Sequence, residues 1–175
     1  EACGSLTGRV VVKATGMAHK TEAGRVAVGL AGAAEVGAAL VGMGLPDDAP
    51  VLVEDFVDGA VVEMLVSVRR EPPVGWLLTL GIGGTLVELL GDTTSLLLPV
   101  DAGEVIVALR GLAGWPLIGG HRGNPPADLD ALVATILGIA GVVDERPDLV
   151  ELECNPVLAR PVGAITVDAL AIVVD

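Results

Sequence analysis

The sequence predicts a mixed α and β fold (α/β, of the α+β type) with largely antiparallel sheets. Short apolar segments bounded by glycine, proline or acidic residues indicate strands, and several follow one another closely enough to pair. Alanine-rich and longer apolar segments between them indicate helices. Of the 175 residues, 52% are hydrophobic and 2% aromatic, so we expect an aliphatic core. This length suffices for one domain or for two small subdomains that share a site.

The predicted strands are short apolar runs that end at turn signals. In chain order they are residues 10–12, 26–30, 51–56, 61–69, 76–80, 85–90, 150–154 and 164–167. The Asp58-Gly59 turn signal predicts that strands 51–56 and 61–69 form a hairpin. The last two strands are expected to be joined by the connector NPVLARPVG.

Three helices are predicted between these strands. The first covers residues 33–43 and ends at the Gly-Leu-Pro of residues 44–46, and the second covers residues 102–110. The third is a long helix within residues 119–146, where Pro125 and Pro126 suit the start and nearby aspartates suit the positive end of the helix dipole.

Composition excludes several classes of function. A net charge of −13 without a basic stripe argues against a nucleic-acid partner, and the scarcity of aromatic residues argues against base stacking. Cys3 and Cys154 form neither a disulfide framework nor a zinc signature. No apolar run is long enough to span a bilayer, and no signal peptide opens the chain, so we expect a cytoplasmic protein. The chain starts without methionine, which predicts a fragment.

The cations of the chain are concentrated near its start. Both lysines, Lys13 and Lys20, and His19 lie within eight residues. A phosphate-binding P-loop requires a glycine where His19 stands, so that motif is absent. A lysine at a strand end followed by a turn of backbone amides can still hold a polyphosphate from two sides. The alternative is that both lysines are solvated, since alternation in VVVKA allows Lys13 to point outward.

Two acidic segments could complete a site. In VELECNPVLARPVGAITVDAL, Asn155 and Asp168 lie on adjacent strands and can converge, which offers the hard oxygen ligands that Mg²⁺ prefers. The alternative is a solvated hairpin with an Asn-Pro turn. In LVEDFVDGAVVEMLV, Glu54, Asp55 and Glu63 surround the expected hairpin, where carboxylates could bind a ribose.

Taken in order, these segments resemble the ATP-grasp fold. The matching stretches are VVVKA, HKTEAG, VLVEDFV, LGIGGTLVELLGD, LPV, GGHRGNPPADLDAL, ELECNPVL and VDAL, which cover nearly the whole chain. The resemblance is to the nucleotide-binding part of NDP-forming acyl-CoA synthetases, relatives of the succinyl-CoA synthetase β subunit. It implies two mixed subdomains, residues 1–55 and 56–175. It also implies a truncated N-terminal part, because the family begins a few dozen residues earlier.

The resemblance also implies roles for individual residues. Those assigned to the nucleotide are Lys13, Lys20, Thr21, Glu54, Asp55, Val57 and Glu63. Asn155 and Asp168 would hold Mg²⁺, with Glu153 beside them. His19 would carry a phosphoryl group between a phosphohistidine and ADP or ATP.

The implied activity is the phosphoryl-transfer step of an acyl-CoA synthetase, a ligase that forms or cleaves acyl-CoA. The implied partners are ATP or ADP and a CoA-binding, phosphohistidine-bearing domain or subunit, in an oligomer without nucleic acid or membrane. Arg25, Gly91 and Leu96 depart from the family pattern, and each lost phosphate contact would cost about 2–4 kcal/mol of transition-state stabilisation. The alternatives are therefore a regulatory nucleotide-binding domain, for instance of an acyltransferase, and an interaction module that binds no nucleotide.

Overall fold

The structure is a computed structural model that describes residues 8–15, 24–46, 48–83 and 91–174. It divides into two compact units, Glu1–Asp58 and Gly59–Asp175. Throughout the described ranges the strands pair in antiparallel fashion, which confirms the predicted mixed fold with antiparallel sheets. No helix in those ranges has the length and apolar character to cross a membrane.

The first unit is a three-stranded sheet in the order β2-β1-β3, covered by a helix. Its elements are β1 (Val10–Ala14), β2 (Val26–Leu30), α1 (Gly32–Met43) and β3 (Val51–Asp55). Val10 and Val12 of β1 pack against Val36 and Met43 of α1 in a small aliphatic core. Because side chains alternate along a strand, Val11 and Lys13 lie on the opposite face of the sheet.

The second unit is a six-stranded sheet with helices on one face. Its strands are β4 (Val62–Glu71), β5 (Gly75–Ile82), β6 (Thr93–Leu97), β7 (Leu149–Ala159), β8 (Ala164–Thr166) and β9 (Ala169–Val173). Its helices are α2 (Ala102–Gly111), α3 (Trp115–Gly119) and α4 (Leu129–Glu145). Strands β6, β5, β4, β7 and β8 are neighbours in that order, and β9 also pairs with β7.

The main core lies between this sheet and its helices. Met64, Val66 and Leu78 from the sheet and Leu109 and Ile136 from the helices are fully buried in one cluster. Alternate residues of the same strands therefore point to the other face of the sheet, which we call the open face.

A polar row crosses the open face. Ser95, Thr79, Ser67 and Glu153 are successive cross-strand partners on β6, β5, β4 and β7. The hydroxyls of Thr79 and Ser95 are 3.0 Å apart. Neighbouring strands are about 4.8 Å apart, so the row spans about 14 Å.

The predicted hairpin of strands 51–56 and 61–69 is wrong. β3 pairs with β1 in the first sheet, whereas β4 pairs with β5 and β7 in the second. Gly59 does adopt a positive φ of 77°. A turn signal, however, describes only the local chain and does not determine which strands pair.

Other elements differ in extent. The NPVLA segment, predicted to be part of a connector, lies within β7, and the strand predicted at residues 164–167 corresponds to β8, with β9 following it. β6 and α3 were not predicted, and the strand predicted at residues 85–90 lies outside the described residues.

Asp128 fixes the start of α4. Its carboxylate accepts hydrogen bonds from the backbone N–H groups of Ala131 (3.0 Å) and Gly163 (2.9 Å). These two donors hold the pKa of the Asp128 carboxyl below its ordinary value, because they stabilise the charged form. One side chain thus caps the helix predicted there and ties it to the β7–β8 turn.

Candidate nucleotide and metal site

In the first unit, Lys13 is a buried cation. Its side chain lies on the face of the small sheet opposite α1, and the residue is 6% exposed. Its ammonium Nζ is 2.6 Å from Glu54 Oε2. The interpretation of Lys13 as an ordinary solvated charge is therefore wrong. Burying a lysine ammonium costs free energy unless the group is paired, and Glu54 supplies one such partner.

The pairing of β1 with β3 explains this contact. Val11 lies opposite Glu54 and Lys13 lies opposite Leu52, so Lys13 and Glu54 are diagonal neighbours on one face. Long side chains can bridge that separation. The Glu54 side chain is 37% exposed, which leaves part of its carboxylate accessible.

The other residues assigned to this segment follow Glu54 directly. Asp55 is exposed at the end of β3, and Val57 is half-buried. Between them, Phe56 donates its backbone N–H to the Arg9 carbonyl (2.9 Å), which holds the chain against β1 after the strand ends. The structure thus brings Glu54 to Lys13 and places Asp55 and Val57 on the adjoining chain.

Arg25 has a structural contact at the end of α1. Its guanidinium donates to the Met43 carbonyl. A cation at this position satisfies a carbonyl that the last helical turn leaves free and interacts favourably with the negative end of the helix dipole. Arg25, which departs from the family pattern, therefore stabilises the fold of the first unit.

In the second unit, Asn155 and Asp168 are adjacent. Asn155 donates its backbone N–H to the Asp168 carbonyl (3.2 Å), and Val167 donates to the Pro156 carbonyl (3.2 Å). Asp168 Oδ1 accepts the N–H of Ala169 (3.1 Å). Both residues are half-buried, which leaves their side chains accessible. The convergence that the sequence predicts is thus present in the backbone, although Asn155 lies within β7 and not beyond its end.

A β-bulge occurs at this point. Met64 of β4 lies opposite Val157 and Val66 lies opposite Cys154, so Leu65 faces both Asn155 and Pro156. The bulge changes the alternation of β7, because Cys154 and Val157 both point into the core although three positions separate them.

Glu153 and Glu63 lie on the same two strands. Glu153 is half-buried and directly opposite Ser67, and Glu63 is exposed at the start of β4, opposite Leu158. Within the described ranges, no group of three or more acidic, histidine or cysteine side chains is arranged to hold a metal. An asparagine–aspartate pair suits Mg²⁺ that keeps water and phosphate oxygens as its other ligands.

The two positions where the family carries a basic residue have different surroundings. Gly91 has a positive φ of 57° with open space where a side chain would start. Leu96 packs against the main core on the helix-covered side of β6, opposite Leu78. Leu96 therefore contributes to packing.

His19, Lys20 and Thr21 lie outside the described residues. Their predicted roles therefore stay predictions.

The sequence did not predict the serine and threonine residues of the polar row, nor the hydrogen bonds that Asp92 accepts. Asp92 accepts the backbone N–H groups of Ala113 (2.8 Å) and Gly114 (2.7 Å). The only available signal for the row was the alternation of polar and apolar residues around Ser67 and Thr79. No local pattern predicts the Asp92 contact, since it joins residues about twenty positions apart.

Comparison with known proteins identifies the fold. A family model described as an ATP-grasp domain matches residues 1–173. The dinucleotide-forming acetyl-coenzyme A synthetase 1 of Ca. Korarchaeum cryptofilum, in complex with coenzyme A, Ca-AMPCP and HgCl⁺, superposes with a TM-score of 0.83 at 27% identity, over 94% of this chain and 76% of that chain. The same enzyme with coenzyme A and Mg-AMPPCP, its phosphohistidine segment pointing towards the nucleotide binding site, gives 0.79 at 28% identity and the same coverage.

Curated relatives are consistent with this match. The ADP-forming acetate–CoA ligase II of Archaeoglobus fulgidus is 30% identical over 94% of this chain and 24% of its own length. The β subunit of ADP-forming acetate–CoA ligase II from Pyrococcus furiosus is 32% identical over 61% of this chain and 47% of its own length. The matched regions thus span less than half of these relatives. The chain belongs to the ATP-grasp domain family and is homologous to the ATP-grasp part of ADP-forming acetate–CoA ligases.

Proposed function

We propose that this chain is the nucleotide-binding part of an NDP-forming acyl-CoA synthetase. The complete reaction would be acyl-CoA + ADP + phosphate ⇌ carboxylic acid + CoA + ATP. This chain would bind ADP or ATP and take part in phosphoryl transfer. A CoA-binding domain or subunit would supply the phosphohistidine and the site of the acyl group.

The observation that carries this proposal is the adjacency of Asn155 and Asp168. The amide oxygen of Asn155 and the carboxylate of Asp168, on paired backbones, would offer a small set of hard oxygen ligands, and the remaining positions of a magnesium ion would be left to water and phosphate oxygens. When bound, the ion would neutralise charge on the phosphates. The Mg-AMPPCP complex of the archaeal synthetase supports the same chemistry for this fold.

Lys13 would supply the other neutralising charge. Its ammonium lies against Glu54 where β1 pairs with β3, so it is positioned before a ligand arrives. Phosphoryl transfer requires charge neutralisation and alignment more than covalent chemistry by the protein, which makes such a fixed cation useful. In this proposal Lys13 contacts nucleotide phosphates and Glu54 keeps it oriented.

An Asp168→Ala variant tests the metal role. We expect its affinity for Mg·ATP to fall about tenfold or more, while its affinity for ATP in EDTA stays within about threefold. Titration calorimetry of the wild type and of each variant, with and without Mg²⁺, measures these affinities. Asp144→Ala, which removes an exposed acid from the end of α4, is the matched control. Equal losses with and without Mg²⁺ would contradict the metal role of Asp168.

A regulatory nucleotide-binding domain is the second candidate. The uncharged Gly91 and Leu96 favour it, since the family carries basic residues at both positions. Both candidates bind nucleotide, so a transfer assay is needed to separate them. After incubation with a phosphorylated CoA-binding partner, mass analysis detects a phosphohistidine at His19 in a synthetase and none in a regulatory domain.

A further inference from the structure

The loop between α3 and α4 presents two basic side chains. His121 and Arg122 are exposed at its tip. Across residues 8–15, 24–46, 48–83 and 91–174, Arg122 is the one non-glycine residue with a positive φ, at 50°. Neither the family resemblance nor the comparisons assign a role to this tip.

The base of the loop is closed by direct contacts. Ala127 donates its backbone N–H to the Ile118 carbonyl (2.9 Å). A Cβ on Gly120 would lie 3.1 Å from both the Asn124 carbonyl oxygen and the Pro126 nitrogen, so the two sides of the loop touch there. The tip is therefore held in place by a packed base.

The tip itself is a strained turn. Asn124 donates its N–H to the His121 carbonyl (3.0 Å), and the two central residues, Arg122 and Gly123, have φ angles of 50° and 89°. A turn with positive φ at both central positions favours asparagine, aspartate or glycine at the first of them. An arginine there is strained because its Cβ crowds the backbone, and such strain is kept chiefly at functional sites.

Most other described cations are already engaged within the protein. Lys13, Arg9, Arg69 and Arg146 pair with carboxylates. Arg25 donates to a carbonyl, and Arg70 and Arg110 lie over tryptophan rings. Within the described ranges, Arg122 contacts no carboxylate, carbonyl or ring. The chain has a net charge of −13, and folding does not explain why it keeps a strained arginine that has no partner among the described residues.

We propose that the His121–Gly123 tip binds a phosphate group. The Arg122 guanidinium offers a planar fork of donors that matches two phosphate oxygens. The backbone N–H groups of Arg122 and Gly123 find no acceptor among the described residues, and His121 adds a further nitrogen beside them. The bound group is either inorganic phosphate or the 3′-phosphate of CoA. Inorganic phosphate and CoA both take part in the proposed reaction, so this choice of ligand rests on the proposed function.

The test uses Arg122→Gly and Arg122→Gln in the full chain. Calorimetric titrations with inorganic phosphate, CoA and 3′-dephospho-CoA are run in saturating Mg·ADP, which occupies the nucleotide site. We expect both variants to bind the phosphate-bearing probe at least about tenfold more weakly than wild type. We also expect Arg122→Gly to raise the thermal midpoint, since glycine adopts a positive φ without strain. Arg146→Gln, which removes an exposed, ion-paired arginine, is the matched control and should change neither result.

The probes separate the two sources. Binding of CoA but not of 3′-dephospho-CoA identifies the 3′-phosphate of CoA, whereas binding of inorganic phosphate identifies free phosphate. Unchanged affinity in both Arg122 variants, or wild-type binding of none of the probes, overturns the proposal. A lower midpoint in Arg122→Gly overturns the argument from strain. Titration of Mg·ADP alone reports on the nucleotide site, so a failure of the proposed function is distinguishable from a failure here.

Discussion

A Lys13→Met variant is expected to bind ATP about 10- to 100-fold more weakly than wild type, while its affinity for adenosine stays within about threefold. The reason is the position of the ammonium. It is fixed at the end of β1 by Glu54 in a buried environment, where a charge-assisted contact to a phosphate oxygen is stronger than in water. Adenosine carries no phosphate and should be nearly insensitive to the change.

Two further variants make this result interpretable. Lys13→Met leaves Glu54 without this partner, which could weaken binding by disturbing the fold. Lys13→Met/Glu54→Gln removes both charges, so restored ATP affinity in the double variant would show that the ammonium itself is dispensable. Arg9→Gln removes another cation of the first unit, whose partner Asp58 is largely exposed, and should leave ATP affinity unchanged. Calorimetry with ATP and adenosine measures all four proteins.

A Gly83→Ala variant is expected to lower the free energy of unfolding of the second unit by about 3 kcal/mol or more. A Cβ at Gly83 would lie 2.6 Å from the Met64 carbonyl carbon and 2.8 Å from the Met64 nitrogen. These are backbone atoms of β4 and cannot rotate away. The Gly83 N–H also donates to the Glu63 carbonyl (2.6 Å), so the added methyl would separate the end of β5 from β4.

Gly138→Ala is the matched control for this change. Gly138 lies on the exposed side of α4, has open space around its Cβ position and does not require a positive φ. Alanine there should raise the free energy of unfolding by about 0.5–1 kcal/mol. Urea denaturation followed by circular dichroism measures both variants. A Gly83→Ala protein as stable as wild type would contradict the close approach of the two backbones.

Local patterns were sufficient to predict several parts of the candidate site. Asn155 and Asp168 lie in segments that pair through a short connection, so their adjacency followed from the sequence alone. The strand end at Lys13 was predicted for the same reason, since VVVKA is a short apolar run before a turn signal.

Pairing between distant segments could not be predicted in the same way. The contact of Lys13 with Glu54 depends on β1 pairing with β3, whose residues are about forty positions away along the chain. The wrong hairpin across Asp58 has the same cause, because nothing in the local sequence shows that β3 and β4 belong to different sheets. The engagement of Arg25 with the end of α1 likewise depends on tertiary structure.

The extra residue of the β7 bulge matters to the candidate site more than to the interior of the second unit. Deleting Pro156 would leave Cys154 and Val157 two positions apart, so both side chains would still point into the aliphatic core. The deletion would remove the Pro156 carbonyl, which accepts the Val167 N–H next to Asn155 and Asp168. A chain shortened by this one residue should therefore keep its core pairing and lose part of the backbone arrangement around the asparagine and the aspartate.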